Sequence, residues 1–287
     1  MVNKKLLAYN LESAYGEAEK ERKDNDQLVG KLMLGVSGNR ERFDLSDYLV
    51  HFTKDPEPYW NMLKILGGQE LVAGPLAFGC SRNVQNLDQA INRAICFSET
   101  PLGYLKKFAK NRSEYGIGFS KNFILENGGM PIWYVPTGST VSKAIHQLMK
   151  LGKERDPDDR KKKTINYDNP IWNLCSFVEE TRDFGRMQHQ FQWEREWRIA
   201  GAELKFKPND VAFLIIPERL HVNARQFFRN AALENTGPAY LECPFIDGNW
   251  GLSKYAQERS NKKTTKIVNE VVSSLLSEAV PKAKKKK

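Results

Sequence analysis

Trp193-Glu194-Arg195-Glu196-Trp197-Arg198-Ile199 alternates strictly when read as a β-strand. Trp193, Arg195, Trp197 and Ile199 share one face, and Glu194, Glu196 and Arg198 share the other. The aromatic face suits burial on a core, with the stem of Arg195 lying between the rings. The opposite face carries two carboxylates about 7 Å apart along the strand and a guanidinium one step further on. Neighbouring carboxylates repel, so one of them should hold its proton more tightly unless a cation or a substrate hydroxyl lies beside it. Arg198 is placed to be that cation. The pattern fits a polar site and an ion-paired, half-exposed strand equally well.

The rest of the composition bounds the fold and its partners. The chain has 287 residues, 40% of them hydrophobic, with 15 Phe, 10 Tyr and 6 Trp, enough for one large domain or two small ones with a sizeable core. No apolar run reaches the roughly 18 residues that span a bilayer, and residues 1–9 are too few and too polar for a signal peptide. Cys80, Cys96, Cys175 and Cys243 form no CxxC pair and have no histidine at metal-ligand spacing. They read as buried thiols in a reducing compartment, so the expectation is a cytoplasmic protein without a metal. The net charge of +9 concentrates in a tail, Lys284 to Lys287, and an internal run, Arg160 to Lys163. Such runs are solvated loops or a non-specific attraction for polyanions such as RNA or DNA.

Along the chain, residues 1–45 form a charged, helix-compatible lead-in. Residues 46–54 read as a strand broken at Asp55-Pro56, followed by a helix from 61 to 65 ended by Gly67-Gly68. A loop-like stretch over 70–79 precedes a short helix at 87–94 and a strand at 94–99. Pro101 starts a helix through Leu102, Leu105 and Phe108, and strands follow at 115–120 and 130–135. The helix at 141–150 places Ile145, Leu148 and Met149 on one side. A polar loop at 153–169 leads to a helix at 171–181 with Trp172, Leu174, Cys175 and Val178 inward, then to a polar loop at 183–192. A buried strand at 211–216 and a helix at 218–228 complete the domain. Ile267, Val268, Val271, Val272, Leu275 and Leu276 then form one helical stripe within 264–279. No repeat, P-loop or Rossmann spacing is present, and the irregular alternation of strands and helices predicts an α+β fold.

Four polar stations stand on predicted strands: His51 with Thr53, Ser98 with Glu99, Tyr115 with Ser120, and Glu194 with Glu196. Their order resembles the ADP-ribosyltransferase fold, with its split β-sheet core and peripheral helices. The pieces LVHFT, ICFSETPL, YGIGFSK and EREWRI resemble the AbiGi-type abortive-infection proteins of bacterial phage defence. The resemblance covers roughly residues 46–200, within an expected domain at 46–260 flanked by the 1–45 lead-in and a C-terminal helix and basic tail at 261–287. It implies cleavage of NAD, as a substrate, between nicotinamide and ribose, with ADP-ribose transferred to an acceptor by a phage-defence toxin.

A ribosyl cation forms in that transition state, so a carboxylate beside the ribose stabilises it. By position the resemblance gives that role to Glu196, and to Glu194 the orientation or deprotonation of the acceptor. It assigns cofactor contacts to His51, Thr53 and Ser98, and nicotinamide stacking to Tyr115 with Phe119 as the reserve. Ser98 departs from the family's Ser-Thr-Ser triplet, standing instead in Phe97-Ser98-Glu99. The loop holding Arg186, His189 and Gln190, beside Phe191 and Gln192, falls where the family positions its acceptor. With the basic charge, this favours nucleic acid, RNA above all.

Other readings stay open. The same fold can serve as a non-catalytic antitoxin or interaction protein, which has no need for His51, Glu194 and Glu196 to converge. An antitoxin or chaperone is the protein partner expected for such a system. A metal-dependent hydrolase built on Asp44, Asp47, Glu194 and Glu196 lacks a two-metal spacing. A cysteine nucleophile at Cys96 or Cys175 is set against the apolar context in which thiols are inert.

Overall fold

Leu49, Ile95, Phe97, Ile117, Phe119, Trp197 and Ile199 occupy alternate positions in four strands and meet in one buried cluster. That alternation builds the central sheet. The computed structural model describes residues 46–250 except 55, 77, 100–104, 156–162, 182–194, 202, 235–239 and 242, together with Lys20, Lys23 and Asn25. The 261–287 segment, most of the 1–45 lead-in, Glu194, and the loop residues Arg186, His189 and Gln190 lie outside the described residues.

In chain order the strands are β1 (Tyr48–Phe52), β2 (Glu70–Val72), β3 (Ala94–Glu99), β4 (Gly116–Ser120), β5 (Met130–Pro131) and β6 (Trp133–Pro136). They continue with β7 (Lys153–Arg155), β8 (Lys163–Ile165), β9 (Val178–Thr181), β10 (Glu196–Ala200), β11 (Glu203–Lys205), β12 (Val211–Ile215) and β13 (Phe245–Ile246). The helices are α1 (Pro58–Gly68), α2 (Leu105–Asn111), α3 (Lys121–Glu126), α4 (Thr140–Leu151), α5 (Ile171–Cys175) and α6 (His221–Leu233). The fold is mixed α+β, as the sequence predicts.

The seven-stranded sheet runs β13-β12-β4-β1-β3-β10-β5. Every pair in it is antiparallel except β12 with β13. One face buries the large cluster, closed by Met62 and Leu66 of α1, Ile124 of α3 and Phe228 of α6. The other face buries Val50, Phe52, Phe213 and Ile215 against Leu105 and Phe108 of α2. Gly118 permits this second layer, because a Cβ there would lie 2.5 Å from the Phe213 ring. Asn25 reaches the end of the sheet: its amide donates to the Phe245 carbonyl at 3.0 Å and accepts from the Phe245 N–H at 2.7 Å.

A satellite layer forms beyond β10. The parallel pair β6–β9 carries Val135 and Val178 into a third cluster with Ile145 and Met149 of α4 and Trp172 and Cys175 of α5. Two-stranded pairs β2–β11 and β7–β8 complete the described chain.

Several expectations are corrected. Helix α1 starts at Pro58, three residues before 61, because proline is well placed in a first turn. The loop expected at 70–79 contains β2, which finds its partner β11 more than a hundred residues later. The strand expected at 130–135 is two strands serving two different sheets. The polar loop at 153–169 contains the β7–β8 ladder. The helix expected at 171–181 stops at Cys175, and Val178–Thr181 is claimed by β6. Leu174 and Leu148 point outward, at 58% and 46% exposure, rather than into the core.

Candidate functional site

The stretch that opened the sequence reading enters the sheet at Glu196, not at Trp193. Arg195 has φ 44°, a left-handed conformation costly for a side-chain-bearing residue, and it breaks the expected alternation. Its guanidinium lies 3.8 Å from Glu99. From Glu196 onward the alternation holds: Trp197 and Ile199 enter the large core, and Glu196 and Arg198 face the other side.

On that other side Arg198 is 2% exposed, and each of its three guanidinium nitrogens has a partner. Nε donates to Glu196 Oε1 at 2.9 Å, one terminal nitrogen to the Ser176 carbonyl at 2.9 Å, and the other to Glu179 Oε2 at 3.1 Å. The Phe78 ring covers it at 4.7 Å. Burial alone would lower the pKa of Arg198, but the charge and hydrogen bond of Glu196, with the charge of Glu179, outweigh it and raise the value. Glu196 takes a second bond at Oε2 from the Tyr134 hydroxyl, 3.2 Å away. Glu179 is held in turn by Arg82 at 2.9 Å and by the Gly79 N–H at 3.3 Å. Burial, then the Glu196 charge, pushes the neighbouring Cys96 thiol up to about 12, so it is not a thiolate nucleophile near neutral pH. The chain Tyr134–Glu196–Arg198–Glu179–Arg82 therefore ties the sheet to the satellite layer.

The sheet register separates the predicted site residues. Val50 pairs with Ser98 and Ser98 with Glu196, which sets Ser98 and Glu196 on one face. His51 follows Val50 and pairs with Ile117, so it stands on the opposite face. There its Nδ1 lies 3.0 Å from the Cys96 carbonyl, and its ring packs edge-on against Phe97. Burial lowers the His51 pKa, partly offset by that backbone bond. The Thr53 hydroxyl donates to the Pro58 carbonyl at 2.7 Å. Tyr115 packs against Tyr59, and Phe119 is wholly buried between Phe97, Phe123 and Phe206. Phe119 is thus a core ring, unavailable to stack on a ligand. Ser98 and Glu196 thus lie on one face of the sheet, and His51 and Phe119 on the other.

Sequence reasoning missed Glu179 and gave Glu99, named beside Ser98, no role of its own. Glu179 was hidden inside an expected helix, and only the β-branched flanks Val178 and Thr181 hinted at a strand. Glu99, in sequence merely the neighbour of Ser98, is buried on the His51 face. It accepts from Trp197 Nε1 at 3.0 Å and pairs with Lys121 at 3.0 Å. Among the described residues, no group of three or more His, Cys, Asp or Glu side chains could hold a metal, and no helix is long and apolar enough to cross a membrane.

A mainly antiparallel sheet with a strapped-on satellite layer defines the class. Residues 77–212, a little under half of the chain, match the family model described as "Putative abortive phage resistance protein AbiGi, antitoxin". The chain is similar to that abortive-infection family across β3, β10 and the whole satellite layer. No curated protein and no solved structure matches it.

Proposed function

We propose that this chain acts as the antitoxin of an abortive-infection phage-defence pair, neutralising a toxic protein by contact. The observation that carries the reading is the separation of His51 from Glu196 by the sheet, with Glu196 held by Arg198 and Tyr134. An interaction protein uses such a network to hold a surface in shape. The similarity to a family described as an antitoxin supports the same reading. The test is co-expression with the toxin of the same defence locus. Restored growth and a stoichiometric complex on gel filtration are expected; continued growth arrest with the folded chain present overturns the proposal.

A second reading, transfer of ADP-ribose from NAD to RNA, is favoured by one feature. The strands that carry His51, Ser98 and Glu196 are consecutive neighbours, β1-β3-β10. Nicotinamide release from NAD, with RNA, DNA and protein offered separately, separates the two. The antitoxin reading expects none with any acceptor. Release that Glu196→Gln abolishes would instead establish the transferase.

A further inference from the structure

Cys80 and Cys175 stand 95 residues apart in the chain and side by side in the satellite layer. Cys175 ends α5 and is wholly buried, while Cys80 follows the Gly79 turn and is half-buried. The Cys80 N–H donates to the Cys175 carbonyl at 3.2 Å, and the Cys80 Sγ lies 3.9 Å from that same oxygen. This backbone bond holds the two Cα atoms within about 7 Å, close to the span that a disulfide bridges. Both side chains belong to one apolar cluster, and the Cys80 thiol hydrogen-bonds to the Cys175 sulfur. The other two cysteines have different neighbours: Cys96 faces Glu196 and Arg198, and Cys243 the Val211 carbonyl.

We propose that Cys80 and Cys175 are a peroxide-sensitive pair that closes as an intrachain disulfide. Hydrogen peroxide meets the half-exposed Cys80 first. Its sulfur attacks one peroxide oxygen, so that an S–O bond forms and the O–O bond breaks. The departing hydroxide takes the thiol proton and leaves as water. Cys175 then attacks the Cys80 sulfur: the S–S bond forms, the S–O bond breaks, and the second hydroxide leaves as water with the Cys175 proton. The two sulfurs together give up two electrons, and the peroxide is reduced to two waters. The shared hydrogen bond lowers the Cys175 pKa and, with burial, raises that of Cys80. The first step is therefore slow, and Cys175 is the readier nucleophile for the second. The bridge joins the end of α5 to a turn whose Gly79 N–H and Arg82 side chain already hold Glu179. Oxidation thus tightens the satellite layer.

This stands apart from the antitoxin reading and is tested on the purified full chain alone. The reduced chain is treated with increasing hydrogen peroxide, its remaining thiols are alkylated in denaturant, and its peptides are mapped by mass spectrometry without reduction. The half-exposed Met130 serves as an internal gauge of dose, through its sulfoxide. The expected product is one chain lighter by two hydrogen atoms, with the Cys80 and Cys175 peptides joined and Cys96 and Cys243 still alkylated. Its melting temperature should rise by several degrees, because the bridge closes a loop of 95 residues, and dithiothreitol should reverse both changes. Cys80→Ser, a near-isosteric change at a half-buried position, should abolish the link and the rise while keeping the circular dichroism of the parent. Cys80 and Cys175 both still alkylated when Met130 is fully oxidised would overturn the proposal. So would a bridge to Cys96 or Cys243, a bridge between two chains, or a linked chain that melts no higher than the reduced one.

Discussion

Arg198 is the residue on which most of the polar structure turns. Its charge is buried at 2% exposure and balanced by Glu196 and Glu179. Removing one balancing charge leaves the guanidinium under-compensated in a poorly solvating place. Glu196→Gln should therefore cost about 1–3 kcal/mol, less than a fully orphaned buried charge because Glu179 and the Ser176 carbonyl stay. A urea midpoint unchanged from the parent would show that the pair is dispensable. Histidines add a pH dependence. Burial depresses His51 and His221 below their ordinary value of 6.5, so at lower pH the unfolded chain takes up protons that the folded chain refuses. Their contribution is complete above about pH 6.5 and is lost as pH falls through the lowered folded values. The thermal midpoint should drop between about pH 7 and pH 5, and His51→Gln should flatten that slope. A slope identical to the parent's would remove His51 from the account. The sequence already placed Glu196 and Arg198 on a common face, since alternation is local. It did not place Arg198 in the interior, because the groups that surround it lie some twenty residues earlier in the chain, and Phe78 still further away.

Elements fail or succeed here according to where their partners lie. β3, β4 and β12 were legible because each is an apolar run long enough to declare itself. β2, β7, β8 and β9 were not, being three or four residues each and stabilised by ladders that form only in the folded chain. The turn before Cys80 is a sharper case. Gly79 has φ 83°, and a Cβ there would come within 1.8 Å of the Cys175 carbonyl oxygen. The turn thus rests directly on the end of α5, and the Cys80 N–H donates to that same carbonyl at 3.2 Å. Gly79→Ala should destabilise by about 3 kcal/mol or more, through the left-handed backbone and the clash together. Differential scanning calorimetry checks this. A melting temperature within a degree or so of the parent's would mean that the loop re-forms elsewhere at little cost.

At the scale of the whole molecule, two clusters clamp the central sheet from both faces, and a third cluster sits to one side. The third cluster is built on the two-stranded β6–β9 pair rather than on the seven-stranded sheet, and the Arg198 network is a charged tie between them. Hydrogen exchange should show α4, α5, β6 and β9 opening at least about tenfold more often than β1, β3, β4 and β12. Arg198→Ala should widen the gap, and equal protection throughout would show one cooperative unit instead. The overall α+β class was legible from patterning. The division into sheet and satellite was not, because β5 and β6 are separated only by Ile132 and were read as a single strand. One further consequence concerns the rims of the sheet. On β13 the Asn25 side chain both donates to and accepts from the backbone of Phe245, as an adjoining strand would. At the opposite rim β5 is two residues long and ends in proline. Among the described residues neither rim of the seven-stranded sheet offers a continuous ladder, so the sheet is guarded against extension by a second copy.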